Sequence, residues 1–356
     1  MNTFRFLDRI EDTLDGASRR LRRTLGRTRP PRILPMRGFG VPQGVRILAR
    51  VLEDRGEGGN RWQKAYRRWA TRELPGVPVE IHWRDRRWQA RTDEEGYLDV
   101  TLPAPDRVEG GWHDVQLRLA DARYPDTTAT LRALVVGAEH DFGVLSDIDD
   151  TVIDTGVASS MNLLKSYFYD TASDKEPFPG IDELYRGLHA GRDGSGSNPM
   201  FYVSSSPMNL YEHLDRTFDR HRLPEGPLLL RDWGLDHQGF SPNGAHDHKL
   251  EKAERILERT GDLPFVLIGD SGQHDPELYL ELVKRNPRRI AAVAVRDVTP
   301  DRRDAEVREI GESIEAQGVP FLAAGDTAEM ARFFAERGFV APATVDEVKS
   351  EAERAA

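Results

Sequence analysis

The sequence predicts an α/β protein, a doubly wound parallel sheet preceded by a small antiparallel β-sandwich. Three observations predict it. Between Gly44 and Val136, apolar and polar residues alternate with period two in short runs separated by turn clusters. From Asp141 onward, near-continuously apolar runs alternate with helical patterns, as buried parallel strands and their crossover helices do. The first of these runs, Phe142-Gly143-Val144-Leu145, leads directly into Ser146-Asp147-Ile148-Asp149-Asp150-Thr151-Val152. Carboxylates are thereby placed at the end of a strand, where a parallel sheet presents its ligand site.

Taken in order, residues 1–40 read as a basic amphipathic arm. Phe4, Leu7, Ile10 and Leu14 recur at helical spacing, and Pro30-Pro31 breaks the pattern. Residues 1–32 hold nine Arg against four acids, and Arg19 to Arg32 contains seven Arg and no acid. Two readings fit: a helix that lies on anionic lipid headgroups, or an amphipathic helix docked on the body with a solvated basic tail.

Residues 41–138 form the β domain. Val45–Val51, Val77–Trp83, Tyr97–Leu102 and Val115–Leu119 read as strands, with turns such as Asp93-Glu94-Glu95-Gly96 between them. Strands this short at this spacing imply a sandwich. Within it, Trp62, Tyr66 and Trp69 lie at i, i+4 and i+7 among basic residues. A packing face explains that stripe more simply than a lipid interface does.

Residues 139–345 carry the α/β domain, and 346–356 read as a tail. Strands are expected at Phe142–Asp147, Met200–Ser204, Pro227–Leu230, Phe265–Gly269, Ile290–Val295 and Val319–Ala323. Helices are expected near Ile181–Ala190, Pro207–His221, His248–Thr260, Pro276–Asn286, Asp301–Gln317 and Ala328–Arg337. The glycine-rich Gly191–Ser197 opens no helix after a strand, so it is a connector and no dinucleotide fingerprint.

Composition limits the chemistry. With 356 residues and no cysteine, the chain has room for two domains, and thiol nucleophiles, disulfides and Cys-ligated zinc are excluded. A formal charge of −10 argues against broad nucleic-acid binding. No apolar run approaches the ~18–20 residues of a membrane span, and the N-terminus lacks the apolar core of a signal peptide. The expected location is cytoplasmic, at a membrane surface if the basic arm binds lipid.

The strand ends carry what phosphoryl transfer needs. Asp147, first past its apolar run, can attack phosphorus and form an aspartyl-phosphate. Asp149, two residues on, can protonate the leaving oxygen and later deprotonate water. A carboxylate about 4 Å from a phosphate charge is repelled by about 4 kcal/mol per pair at an effective dielectric near 20. Mg²⁺ relieves that repulsion, with Asp147 and Asp270 as ligands. In Ser204-Ser205-Ser206-Pro207, Ser206 suits an N-cap and Pro207 the first helical position, while Ser204 and its neighbour Ser205 suit phosphate oxygens. Lys249, near a helix start, can neutralise phosphate charge. Asp275, before Pro276, is equally explained as an N-cap. His246, Asp247 and His248 lack a third imidazole at matching spacing, so loop and capping roles are favoured.

Assembled, these residues resemble the haloacid dehalogenase superfamily: Ser146–Thr151 its first motif, Ser204 its second, Lys249 its third, and Gly269-Asp270 with Asp275 its fourth. Within it, Asp147-Ile148-Asp149-Asp150-Thr151-Val152, Tyr202–Pro207, His248-Lys249 and Leu267–Glu277 with Gly-Asp-Ser-Gly-Gln resemble the actin-patch-associated phosphatidate phosphatase family, over residues 140–300. The resemblance implies a haloacid-dehalogenase-like fold and Mg²⁺-dependent hydrolysis of phosphatidate to diacylglycerol and phosphate. It implies Asp147 as nucleophile and ligand, Asp149 as acid/base meeting the metal through its backbone carbonyl, Asp270 as ligand, and Thr151 and Asp275 in support. Where that family often has Trp after Ser-Pro, this chain has Met208.

Only Asp154 to Pro179 separates the first motif from the next helix, leaving little room for a cap. An open site suits a phospholipid headgroup still in its membrane, and a phosphoprotein equally well; a second reading keeps the chemistry and takes a phosphoprotein or a soluble phosphomonoester as substrate. A phosphate- or membrane-binding module without turnover is a third reading, disfavoured because every carboxylate for turnover is present.

Overall fold

Residues 29–54, 73–104, 108–148, 152, 178–231, 244–298 and 303–355 are described in the computed structural model. The arm helix over 4–14, most of the Arg cluster, the Trp62/Tyr66/Trp69 stripe, Asp149, Thr151 and the inter-motif segment lie outside the described residues, apart from Val152 and Phe178–Pro179. By its contacts the chain divides into two units, Met1–Leu34 with Ala49–Leu98 and Gln116–Ala129, and Pro35–Leu48 with Asp99–Val115 and Thr130–Ala356.

The four strands expected from period-two alternation form, and three more, the first, fourth and seventh below, join them. These are β1 (Pro31–Val41), β2 (Gly44–Glu53), β3 (Pro78–Trp83), β4 (Arg86–Arg91), β5 (Tyr97–Pro103), β6 (Gly111–Leu119) and β7 (Thr128–Val135). In β3, Val79, Ile81 and Trp83 are buried, and in β6, Val115, Leu117 and Leu119 alternate with exposed Gln116 and Arg118. Each such aliphatic side chain contributes roughly 1.5–3 kcal/mol by leaving water. The seven strands lie in the order β4-β3-β6-β7-β1-β2-β5.

This sheet differs from the expectation in two ways. It is mixed, because β1 pairs β7 in parallel through Gly38–Gly40 and Ala133–Val135, whereas β3 is antiparallel to β4 and β6. Residues 31–40, assigned to the arm, form an inner strand. The prolines and glycines there hide the alternation. Gly38 and Gly40 are needed because a Cβ would sit 2.4 Å from the Arg46 carbonyl and 2.2 Å from that of Gly44.

In the α/β part the elements run β8 (Gly143–Asp147), α1 (Ile181–Ala190), β9 (Met200–Pro207), a 3₁₀ turn (Met208–Leu210), α2 (Tyr211–Arg220), β10 (Leu228–Arg231) and α3 (Gly244–Glu258). They continue β11 (Phe265–Asp270), α4 (Asp275–Arg285), β12 (Ile290–Arg296), α5 (Asp304–Glu315), β13 (Phe321–Ala324), α6 (Thr327–Glu336) and α7 (Ala343–Ala355). The second sheet is parallel throughout, in the order β10-β9-β8-β11-β12-β13. Strand order runs outward in both directions from β8 and β11, so these two neighbours flank the reversal point where such sheets bind ligands. Phe201, Phe265, Leu145, Leu267, Val293 and Val295 from the strands pack with Ile256 of α3 and Leu282 of α4.

Four local expectations are corrected. The strand after Met200 continues through Ser206 to Pro207, which precedes the 3₁₀ turn without a side-chain cap bond, so Ser206 is no N-cap. Helix α3 begins at Gly244, which puts His246, Asp247 and His248 in helix and Lys249 in its second turn. The last expected strand starts at Phe321 rather than Val319. The supposed tail is helix α7, anchored by fully buried Val348. Among the described residues no helix is long and apolar enough to cross a membrane.

Candidate active site

Asp147 and Asp270 end adjacent strands β8 and β11, whose register pairs Ile268 with Ser146. Both strands are buried along their length, so the chain reaches the sheet's end before polar residues are admitted. Asp275, the first residue of α4, joins them. Oxygen atoms of Asp147, Asp270 and Asp275 lie within 4.8 Å of one another, and the residues are 2%, 0% and 1% exposed.

Among the described residues, the ammonium in contact is that of Lys249 from α3. Its Nζ is 2.6 Å from Asp147 Oδ1 and donates to Asp275 Oδ1 at 2.9 Å and Gln273 Oε1 at 3.3 Å. Burial alone would lower the lysine's pKa, but Asp147, Asp275 and Asp270 outweigh it and hold the group above its ordinary value of 10.5. Lys249 is therefore charged at neutral pH and balances one carboxylate of three.

Three buried carboxylates gathered this closely are costly to hold together, and a cation among them lowers that cost. Carboxylate oxygens within 4.8 Å form the hard-donor set that Mg²⁺ prefers, so these residues fit that ion.

The loop between β11 and α4 is built around Asp270. The amides of Gly272 and Gln273 donate to its Oδ1 at 2.7 and 2.8 Å, which fixes the carboxylate's rotation. The Asp270 amide donates to Asp275 Oδ2 at 3.3 Å, and the Tyr279 hydroxyl to the Ile268 carbonyl at 2.7 Å. Helix α4 can lie this close because residue 269 is glycine. A Cβ there would be 2.6 Å from Asp275 Oδ2 and 2.8 Å from Tyr279 Cε2.

Beneath the site, Ser146 Oγ donates to the Asp147 carbonyl at 2.6 Å and lies 2.6 Å from the Tyr185 hydroxyl. Val203 pairs with Asp147 in register, which sets Ser204 one residue beyond the first carboxylate's partner. Ser204 is fully buried and its Oγ accepts from the Ser206 amide at 2.8 Å, while Ser205 is half-buried. An acidic cleft of about 460 Å³ opens beside Ser271, lined by Asp297, Asp304, Glu312 and Glu315. Its charge is wrong for a phosphate.

Of the expected site residues, the fold thus gathers Asp147, Lys249, Asp270 and Asp275, and sets Ser204 on the strand beside Asp147. Asp149 and Thr151 lie outside the described residues. Of the two readings of Asp275, support of the site and N-cap, the structure shows the first: its side chain turns to Lys249 and the Asp270 amide, and the N-cap position of α4 is held by His274 without a side-chain bond. Gln273 went unassigned, although it sits in the quoted Gly-Asp-Ser-Gly-Gln element.

Comparison with known proteins agrees with this geometry. Residues 142–297 match the family described as phosphatidate phosphatase APP1, catalytic domain. That segment is similar to the APP1 catalytic domain. It contains β8 through β12 and hence every gathered site residue. A phosphatidate phosphatase APP1 of Saccharomyces cerevisiae is 28% identical over 185 residues, covering 50% of this chain and 30% of the relative. An uncharacterized protein of Schizosaccharomyces pombe is 27% identical over 239 residues, covering 63% of this chain and 38% of the relative. The chain thus matches 30% and 38% of the length of these two curated relatives. Among solved structures, a carbohydrate acetylesterase from Xanthomonas citri covers 74% of this chain and 68% of its own at 10% identity, with a TM-score of 0.29. At that level it bears on neither fold nor chemistry.

Proposed function

We propose that the APP1-like domain is a Mg²⁺-dependent phosphomonoester hydrolase working through an aspartyl-phosphate, with phosphatidate as its substrate and diacylglycerol and phosphate as products. The observation that carries this reading is the convergence of Asp147, Asp270 and Asp275 on Lys249 at the reversal point of a parallel sheet. The parallel strand order and the four motifs support a haloacid-dehalogenase-like assignment for this domain, and the alternation of β1–β7 supports a sandwich-like accessory domain.

Asp147, Asp270 and the backbone at Asp149 would hold Mg²⁺, with Asp275 beside them. The ion, when bound, supplies charge neutralisation between the nucleophile and the phosphate. Lys249 holds Asp147 ionised and fixes the orientation of its carboxylate. Asp147 attacks phosphorus as the bond to the leaving oxygen breaks, and Asp149 gives that oxygen its proton. Water then attacks the acyl phosphate, Asp149 takes the water's proton, and phosphate departs with Asp147 restored. Ser204 and Ser205 donate to the non-reacting phosphate oxygens, and Lys249 offsets their charge as the transition state forms.

Phosphatidate is favoured because the similar family is described by that activity, and the little room for a cap between Asp154 and Pro179 is compatible with a headgroup still in its membrane. The protein would then act from the cytoplasm on a membrane surface. The deciding measurement is phosphate release from phosphatidate in mixed micelles, from a phosphopeptide and from a sugar phosphate, with Mg²⁺ or with EDTA. Asp147→Asn should lower Mg²⁺-dependent release by at least about a thousandfold, as removal of a nucleophile does, with an unchanged circular dichroism spectrum. Retained turnover in that folded variant rejects the nucleophile, and preference for the peptide or the sugar rejects the lipid.

A further inference from the structure

Gln273 is gripped from three sides. Its amide donates to Asp270 Oδ1 and its side-chain Oε1 accepts from Lys249, while its carbonyl points away from the site and accepts from Arg303 Nη1. Arg303, the residue before α5, also donates through Nη1 to the Ser271 carbonyl at 2.9 Å, through Nη2 to Glu277, and through Nε to Glu306 at 2.9 Å. The loop from Ser271 to His274 is thus polarised across its width, with amides turned in to a carboxylate and carbonyls turned out to a guanidinium.

Ser271 is also held through its amide and hydroxyl, while its carbonyl faces Arg303. Its amide donates to the Arg296 carbonyl at 2.8 Å, and its Oγ bonds Asp297 Oδ1 and the Val298 amide, both at 3.0 Å. The Gln273 carbonyl and the Glu277 carboxylate, by contrast, are joined to each other by the two arms of one planar fork. A guanidinium can do this and an ammonium cannot, because only the former presents several donors in fixed directions.

We infer that Arg303 is a positioning residue for the carboxylates that receive the divalent cation, acting through the Ser271–Gly272 peptide, whose carbonyl it holds and whose N–H, that of Gly272, donates to Asp270 Oδ1. The inference rests on the cation reading above. Arg303 touches none of Asp147, Asp270 or Asp275 in the contacts described; it sets the plane of the peptide whose N–H fixes Asp270. Without it, the Gly272 amide is free to tilt, Asp270 loses one of the two donors on Oδ1, and the cluster must be organised by the cation itself. Cation affinity then falls while the chemistry, once the site is filled, persists.

The test is isothermal titration of the full chain with MgCl₂, comparing wild type, Arg303→Met, Arg303→Lys and Glu306→Gln. Loss of a residue that orients a metal ligand typically weakens binding about 10–100-fold, and about tenfold or more is expected for Arg303→Met. Arg303→Lys should recover part of the loss, because one charge reaches one acceptor. Glu306→Gln leaves the fork on Ser271, Gln273 and Glu277 intact and should bind as wild type. In turnover, the Mg²⁺ concentration for half-maximal rate should rise in Arg303→Met, with kcat at saturating Mg²⁺ held within about threefold, since an oriented ligand is lost but no transition-state contact. Should Arg303→Met not fold, Arg303→Lys and Glu277→Gln carry the test, each expected to weaken binding. Folded Arg303 variants that bind Mg²⁺ within about twofold of a binding wild type overturn the positioning role alone. A wild type that binds no Mg²⁺ overturns the cation reading and this inference together.

Discussion

Gly269→Ala is a small change with a large predicted effect. The new methyl would lie 2.6 Å from Asp275 Oδ2, 2.8 Å from Asp275 Cβ and 2.8 Å from Tyr279 Cε2. Relaxing those distances to a carbon contact of about 3.5 Å requires displacements of about 0.7–0.9 Å. Neither neighbour can yield by a simple rotamer change. Asp275 is bonded to Lys249 and to the Asp270 amide, and Tyr279 to the Ile268 carbonyl. The first turn of α4 must therefore back away as a unit. Overpacking of this kind costs about 1–3 kcal/mol. The contacts at 2.9 and 3.3 Å between Asp275 and its partners would then lie at or beyond hydrogen-bond range.

The catalytic effect should exceed the effect on stability. A misplacement near 1 Å in a reacting constellation costs about a hundredfold, so kcat should fall by about that factor. Gly143→Ala is the matched control. Its methyl would meet the buried Phe265 ring at 2.5–3.0 Å, at the opposite end of β8 from Asp147. It should lower the thermal midpoint by a similar amount and leave turnover per folded molecule near wild type. Steady-state phosphate release and thermal unfolding of both variants make the comparison. A folded Gly269→Ala enzyme with wild-type kcat would refute the claim that this glycine exists to let Asp275 reach the site.

Two further perturbations address the charges. Lys249→Met leaves three buried carboxylates without their ammonium, and breaking a buried pair costs about 3–5 kcal/mol; thermal unfolding in EDTA should show the deficit, and Mg²⁺ should reduce it. Because the Lys249 pKa lies above 10.5, the wild-type contribution is fully present at neutral pH and is lost only as pH rises beyond that value, so equal wild-type and Lys249→Met midpoints at pH 7 would refute the role. Arg37 of β1 bonds Asp215 and Glu225, and Asp215 is half-buried with its pKa raised by burial despite Arg37. Arg37→Met should cost about 2 kcal/mol, between the buried and surface limits for ion pairs. A carboxyl with a raised folded pKa favours the fold at low pH and loses that contribution as pH rises, so the Arg37→Met deficit should shrink from pH 8 toward pH 5; a constant deficit would refute the electrostatic account.

The parts of the site that were legible in sequence are those whose residue type conflicts with their setting. Asp147 and Asp270 each follow an uninterrupted apolar run, and a strand interior gives no structural reason for a carboxylate at its end, so chemistry was the simpler reading of both. The same contrast made the parallel strands and most helices readable within a few residues. Where a structural explanation was equally good, the signal was divided between two readings. Asp275 before proline looks like a helix cap, and Ser206 before proline looks like one too; one turned out to face the site and the other to lie on a strand. The inner strand β1 was masked by its own adaptation, since the glycines that let β2 approach also remove the alternation that marks a strand.

Arg303 shows the same limit from the opposite side. Its residue type is ordinary for a helix start, 33 residues beyond Asp270, and its partners are two backbone carbonyls that no sequence pattern can display. Asp270 announces itself by being out of place. The arginine that supports its loop is in place everywhere except in three dimensions. Supporting residues of this kind become visible only when each carbonyl around a site is traced to its donor, because backbone acceptors are identical at every position and only the fold distinguishes them.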